Sequence, residues 1–178
     1  MGYTTDFEGQ ITVVPALNDQ EIEFLTKFAE TRRMDCEQGP YYVDRGGSMG
    51  QDSNDPKIRN YNSAPEGQPS LWCQWVPSEN DGGESVIEWD GNEKFYEPAE
   101  WMVYLIQHFL GTNPRAKSEL SFLQGHTLNG TISAHGEDPS DMWLLHVRDN
   151  TVSTEDLVAQ PSGSEHIVGG DTKLLGGE

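Results

Sequence analysis

The sequence predicts an α+β fold, with a mostly antiparallel sheet packed by two helices in the order β-α-β-β-α-β-β. The first observation is two hairpin patterns, LWCQWV and SVIEW around SENDGGE, and LNGTISAHG and MWLLHVRDN around EDPSD. The second is two stretches with helical periodicity, each following a strand-like segment. This order allows a split β-α-β-β-α-β arrangement with an added C-terminal strand, and a different strand order fits it equally well.

The chain opens with a predicted strand and an amphipathic helix. Residues 4–14 alternate loosely between apolar and polar and end at a proline, which favours a strand at a sheet edge. Asn18 and Glu21 have the spacing of an N-terminal capping pair, and the apolar residues after them predict a helix to about Met34. Arg32 and Arg33 then fall in its last turn, where positive charge complements the helix dipole.

The second predicted helix is almost entirely apolar. Pro98 suits its first turn and Gly111 its end. Its apolar residues cover two adjacent faces: Trp101, Met102, Leu105, Ile106, Phe109 and Leu110. The helix is too short to span a bilayer, so we expect it to pack against the sheet. His108 is expected either near its surface edge or hydrogen-bonded in the core.

A single domain is predicted over residues 1–152, with a long irregular loop at residues 35–70. That loop is rich in Gly, Asn, Asp, Pro and Tyr and has no sustained period, which is typical of functional or disordered loops. We expect it to cover the body of the domain, with one short strand at residues 41–43. Beyond Ser153 the chain has no aromatic residue, so residues 153–178 are predicted to be a disordered tail.

The charge of the chain is strongly acidic. Its 178 residues carry a formal net charge of −19, with a pI of about 4.4. Phosphate contacts need clustered Lys and Arg, so we expect no direct binding to nucleic acid or to an anionic membrane. The charge leaves open a basic protein partner, cation binding, or solubility alone. The opening residues do not resemble a signal peptide, and two cysteines are too few for a disulfide framework, so we expect a cytoplasmic protein.

No catalytic residue, metal site or cofactor is predicted. The acidic segment AHGEDPSDMW does not have the spacing of a calcium loop and is better explained as a hairpin turn. Cys73 lies between two tryptophans of a strand, where a buried thiol is a better explanation than a nucleophile. An enzyme would have to use Glu88, Asp90 or His146, and its signature would be a pocket that joins a carboxylate of perturbed pKa to a histidine.

Two sets of residues are candidates for binding. The first is basic and aromatic and would hold a small ligand if its members converge, with Lys57 as a further cation: Arg32, Arg33, Tyr41, Tyr42, Arg45, Arg59 and Tyr61. The second is acidic and aromatic and would dock a cationic partner: Glu88, Trp89, Asp90, Glu93 and Tyr96. Core packing by the aromatic residues and ordinary acidic turns are the alternative explanation of the second set.

Several motifs resemble one family. They include MGYTTDFEGQITVVPAL, QPSLWCQWVP, IEWDGNEKFY and LNGTISAHGEDPSDMW, within a similarity that covers roughly residues 1–152. They are similar to a group of small proteins of unknown function from actinobacterial phages and their hosts' chromosomes. Ala134 departs from that pattern, because similar sequences have a tryptophan in this strand. The resemblance implies a small accessory gene product in phage–host conflict.

Composition and resemblance together predict a non-enzymatic acidic binding protein of phage type. It would act in the host cytoplasm by engaging a host protein or by sequestering a small ligand, as an anti-defence or host-takeover accessory. A small hydrolase-type enzyme and a virion-associated component are the alternatives.

Overall fold

The computed structural model describes residues 3–43, 55–157 and 165–170, and these form an α+β domain. The elements are β1 (Thr5–Val14), α1 (Asp19–Glu30), β2 (Asp35–Cys36), β3 (Ile58–Asn60), β4 (Trp75–Glu79), β5 (Ser85–Trp89), α2 (Pro98–Leu105), a π-helical turn (Ile106–Leu110), a 3₁₀ turn (Arg115–Ser118), β6 (Thr127–Gly136), β7 (Met142–Arg148), β8 (Thr151–Asp156) and β9 (Glu165–Gly170). Both predicted hairpins and both predicted helices are present.

The main sheet has the strand order β4-β5-β1-β6-β7-β8-β9, and every neighbouring pair is antiparallel. Strand β1 is the third of the seven strands, so the prediction that it lies at a sheet edge is wrong. Its Ile11 lies opposite Ile87 of β5 on one side and Gly130 of β6 on the other. Leaving aside the separate sheet of β2 and β3, the split β-α-β-β-α-β arrangement that the sequence allows is formed by β1, α1, β4, β5, α2 and β6. Strands β7, β8 and β9 extend it beyond β6, which is more than the single added strand expected.

The sheet curves around α2. This helix lies against β4 at one end of the sheet and against β8 and β9 at the other. Seven flat strands would span about 29 Å, whereas a helix is only about 10 Å wide, so curvature is required. Gly9 and Gly130 allow β1 and β6 to approach closely at the centre, because a Cβ on either would lie 2.6 Å from a carbonyl oxygen of the other strand.

The two helices pack against each other on the concave side of the sheet. Phe24 and Phe28 of α1 each contact the ring of Phe109 edge-on at 5.0 Å between centroids. Trp101 of α2 is fully buried beside Phe28, as expected for an apolar helix packed in the interior. Across the described residues, no helix is long and apolar enough to cross a membrane.

Helix α1 begins as predicted but ends earlier. Asn18 accepts a hydrogen bond from Glu21 N at 2.8 Å, and Glu21 Oε1 accepts one from Asn18 N at 2.9 Å, so the capping pair is confirmed. Thr31 then takes an extended conformation, with φ −104° and ψ 127°, instead of continuing the helix to Met34. Arg32 and Arg33 therefore follow the helix, and the prediction that they serve its last turn is wrong.

The loop at residues 35–70 contains different strands from the one expected. Residues 41–43 form no strand, whereas β2 pairs with β3 in a separate two-stranded sheet. Residues 44–54 of this loop lie outside the described part of the chain. Alternating tyrosines and valine suggested a strand at 41–43, but the carbonyls of Pro40 and Tyr42 instead accept hydrogen bonds from Arg33.

The sheet continues past the expected domain boundary at residue 152. Asp149 and Asn150 have φ of 48° and 69°, as a two-residue hairpin turn between β7 and β8 requires, so the predicted turn is present. Strand β8 runs to Asp156, and β9 pairs with it within the segment predicted to be a tail. Of that segment, residues 158–164 and 171–178 lie outside the described part of the chain.

Candidate functional site

The basic and aromatic set does not converge on a pocket. Arg33 is 2% exposed and donates to the carbonyls of Pro40 and Tyr42, so it holds the loop to the body instead of facing a ligand. Arg32 lies 4.2 Å above the ring of Tyr61 and donates to its carbonyl oxygen. These contacts give both arginines structural partners, and their role as ligand contacts stays a prediction.

The remaining members of that set are also separated. Arg59 forms a 3.0 Å ion pair with Asp35 and donates to the carbonyl of Cys36, which ties β3 to β2. Tyr41 lies elsewhere, with its hydroxyl 2.6 Å from His108 Nδ1. Arg45 lies outside the described residues. Within the described residues, Arg32, Arg33 and Arg59 therefore do not come together in one ligand site.

The acidic and aromatic set divides into three places. Asp90 and Glu93 line one groove, and Trp89 donates its indole N–H to Gln74 in the floor of that groove. Glu88 instead accepts a hydrogen bond from Gln10 on the neighbouring strand β1. Tyr96 is 62% exposed and lines none of the cavities described below.

The groove around Asp90 is a cavity of about 520 Å³ between α1, the start of β4 and the turn after β5. We call it the acidic groove, and it is lined by Thr26, Ala29, Glu30, Trp72, Gln74, Val76, Asp90, Asn92 and Glu93. Trp72 is 40% exposed, and three carboxylates, those of Glu30, Asp90 and Glu93, line the same groove. No described basic residue lines this groove. It therefore offers an aromatic surface with an acidic rim to a cation.

Gln74 holds the wall of the acidic groove in place. It is buried, and its Nε2 donates to the carbonyl of Glu93 at 3.0 Å. Its Oε1 accepts from the indole of Trp89 at 3.1 Å, while its own carbonyl accepts from Asp90 N at 3.0 Å. The turn that carries Asp90 and Glu93 is thus fixed before any partner arrives, which lowers the entropy cost of binding.

A second cavity, of about 610 Å³, runs along α2 and the π-helical turn. We call it the helix cleft, and it is lined by Pro40, Glu66, Gly67, Gln68, Pro69, Glu97, Glu100, Val103, Tyr104, Gln107, His108 and Arg115. Glu97, directly before α2, has a left-handed conformation with φ 57°. Such strain in a residue other than glycine and a π-helical turn are both concentrated at functional sites.

The polar groups in the middle of the helix cleft are linked. Gln68 Nε2 donates to the Tyr104 hydroxyl at 2.9 Å and to Pro40 O at 2.6 Å. The ring of Tyr104 stacks on that of His108, with 3.9 Å between centroids. Gln68 Oε1 is buried and has no hydrogen-bond partner within the described residues. This oxygen therefore lacks the donor that a buried acceptor normally has.

Burial shifts several pKa values in the cleft. Desolvation, helped by the charge of Arg115, lowers the pKa of His108 to about 4, so its imidazole is neutral at pH 7. Desolvation also raises the pKa of Tyr104 to about 12. The pKa of Glu97 is raised by desolvation and then by the nearby carboxylate of Glu100, with which it shares a hydrogen bond.

His108 is expected to make stability depend on pH. Above pH 6.5 the side chain is neutral in both states, and between pH 6.5 and 4 only the unfolded chain takes up the proton, so stability falls with falling pH. After allowance for solvent screening, we expect a loss of about 1–2 kcal/mol between pH 7 and pH 4. Urea unfolding at several pH values would measure it.

A His108→Phe variant is the control, because it keeps a ring against Tyr104 but cannot titrate. The difference in unfolding free energy between the variant and the wild-type chain should change by about 1–2 kcal/mol between pH 7 and pH 4. A difference that stays constant from pH 7 to pH 4 would contradict the lowered pKa.

The residues considered for an enzyme do not assemble. His146 is hydrogen-bonded to Thr131 and Glu155 on the adjacent strands β6 and β8. Glu88 is instead hydrogen-bonded to Gln10 of β1. Burial raises the pKa of the Cys73 thiol to about 12, so it is a buried thiol as expected. Among the described residues, no group of three or more His, Cys, Asp or Glu side chains is placed to hold a metal ion.

A carboxylate of raised pKa and a histidine of lowered pKa both line the helix cleft, but Glu97 and His108 lie at its opposite ends and are not joined as an enzyme would require. The sequence pointed to this site only through the spacing of Glu100, Tyr104 and His108, which places residues i, i+4 and i+8 along one helix face. Glu97 and Glu100 had an ordinary explanation as first-turn carboxylates. In comparisons with known proteins, no family model, no curated protein and no solved structure matches the chain.

Proposed function

We propose that the chain is a non-enzymatic acidic binding protein that docks a basic segment of a partner protein in the acidic groove. A Lys or Arg side chain of the partner lies over the Trp72 ring and is surrounded by the carboxylates of Glu30, Asp90 and Glu93. The observation that carries this proposal is an exposed tryptophan in a groove where every charged lining residue that the structure describes is acidic.

Two further facts support a protein partner over a small anionic ligand. The arginines that would hold an anion are engaged in holding the 35–70 loop. The net charge of −19 also accelerates encounter with basic proteins and slows encounter with anions. In the phage–host context that the motifs suggest, such a partner is a basic host protein in the cytoplasm, for example one that itself binds nucleic acid.

The groove is tested with fluorescein-labelled hexa-arginine and fluorescence anisotropy. We expect Trp72→Ala, and separately the triple variant Glu30→Gln, Asp90→Asn, Glu93→Gln, each to weaken binding by about tenfold. The reason is that each change removes one component, the ring face or the acidic rim.

A matched triple variant, Glu37→Gln, Glu79→Gln, Asp81→Asn, removes the same charge from exposed positions outside the groove. It should weaken binding by no more than about twofold, because isolated surface charges contribute little at physiological salt. Equal losses for the two triple variants would reduce the interaction to general charge attraction and refute docking in the groove.

A further inference from the structure

The helix cleft has opposite electrostatic character at its two ends. Glu97 and Glu100 lie at the start of α2, while His108 and Arg115 lie at the other end. Arg115 forms no ion pair within the described part of the chain. Eight residues of helix separate Glu100 from His108, and eleven separate Glu97 from it, which correspond to roughly 12 Å and 16 Å.

Hydrogen bonding assigns donors and acceptors along this length. The Tyr41 hydroxyl lies 2.6 Å from His108 Nδ1, and in the tautomer in which this hydroxyl donates to Nδ1, the opposite ring nitrogen, Nε2, carries the proton and is a donor. The Gln68 amide cannot be reversed, because its oxygen would then face the carbonyl of Pro40. Its unpartnered Oε1 is an acceptor in a side chain that is only 8% exposed.

We propose that the helix cleft binds a short peptide with free termini, three or four residues long. The peptide ammonium lies between Glu97 and Glu100, and its carboxylate lies at Arg115 and His108. A backbone N–H between them donates to Gln68, and small apolar side chains pack on Val103 and Tyr104. An extended peptide of this length spans about 10–13 Å, which matches the roughly 12 Å between Glu100 and His108.

The helix dipole opposes this orientation but is the weaker effect. It places about half a positive charge at the start of α2, where Glu97 and Glu100 supply two negative charges. At the other end, about half a negative charge faces the full positive charge of Arg115. Desolvation and then the charge of Glu100 raise the pKa of Glu97, and an ammonium that enters between the two carboxylates relieves their repulsion.

The test uses tetraalanine, its N-acetyl form and its C-terminal amide, titrated into isotopically labelled protein and followed by NMR. Tetraalanine should shift the signals of the cleft residues, and acetylation or amidation should each weaken binding by about fivefold or more. The double variant Glu97→Gln, Glu100→Gln should bind tetraalanine and its N-acetyl form with equal affinity. In Arg115→Met, amidation should make no difference.

The triple variant of the acidic groove should bind tetraalanine as the wild-type chain does, which separates this site from the proposed docking function. The proposal would be overturned if tetraalanine at its solubility limit shifted no signals of the cleft, or if free and blocked peptides bound with equal affinity. It would also be overturned if the double variant of Glu97 and Glu100 lost the same affinity for the free and the acetylated peptide. Thermal unfolding of each variant confirms that it is folded, and the exposure of all three side chains makes that outcome the expected one.

Discussion

Replacing Glu21 with alanine is expected to lower the free energy of unfolding by about 3–5 kcal/mol, because it breaks a fully buried, hydrogen-bonded pair of ionisable side chains. Glu21 Oε2 lies 2.9 Å from His126 Nε2, and both side chains are 0% exposed. The same oxygen accepts from Gln124 N, while Oε1 accepts from Asn18 N at the start of α1. One carboxyl group thus joins the first helix to the segment that leads into β6.

The proton inventory explains the size of this effect. His126 Nδ1 lies 2.7 Å from the carbonyl oxygen of Pro15, which can only accept, so Nδ1 carries a proton. The contact between Nε2 and Glu21 needs a second proton, either on the ring or on the carboxyl group. Removing the carboxyl group therefore leaves a buried imidazole nitrogen and two backbone N–H groups without acceptors.

Urea unfolding at pH 7, followed by tryptophan fluorescence, measures the loss. Glu23→Ala is the matched control, because this glutamate is on the same helix with 66% of its side chain exposed and pairs only with Lys27. We expect a change of about 0.5 kcal/mol or less for the control. A double-mutant cycle with His126→Ala should show coupling of about 1–3 kcal/mol. Similar effects of the two glutamate substitutions would disprove the role of the pair.

Replacing Arg33 with methionine is expected to cost about 2–4 kcal/mol and to loosen the segment 35–43. The guanidinium donates to Tyr42 O at 2.6 Å and to Pro40 O at 3.0 Å, and it lies 4.0 Å above the ring of Phe28. Burial lowers its pKa to about 10, so it is still charged at neutral pH. Methionine keeps the packing on Phe28 but removes the guanidinium donor from both carbonyls, and Pro40 O keeps Gln68 Nε2 as a donor.

The adjacent arginine provides the control. Arg32→Met removes a partly exposed guanidinium over Tyr61 and should cost less than about 1 kcal/mol. Urea unfolding compares the two variants, and limited proteolysis followed by mass spectrometry locates new cleavage sites. Arg33→Met should expose sites within residues 35–43, whereas Arg32→Met should not. Unchanged cleavage in the Arg33 variant would show that other contacts hold this segment.

Features with local causes could be predicted from the sequence. The capping pair of Asn18 and Glu21 and the turn at Asp149 and Asn150 each depend on side chains within a few residues. The two hairpins and two helices follow from periods of 2 and 3.6 in apolar residues. The acidic groove was predicted in part, because Asp90 and Glu93 lie beside each other in sequence as well as in space.

Features that depend on distant contacts could not be predicted in this way. Arg33 was predicted as a ligand contact because its actual partners are backbone carbonyls, which every residue has. Which carbonyls it reaches depends on the path of the folded chain. Residues in the helix cleft come from four separate segments, and Gln68 and Tyr104 meet across 36 positions in the sequence. The pKa of His108 follows from burial that no local pattern encodes.

By itself, the sequence determined the two helices, the two hairpins, their order along the chain and its acidic character, because propensity, capping and charge are properties of neighbouring residues. Tertiary structure alone decided the order and curvature of the strands, the burial of Arg33 and the alignment of Gln68, Tyr104 and His108 in one cleft. The physical reason is that burial, desolvation and hydrogen-bond partners arise only when segments far apart in the chain are packed together.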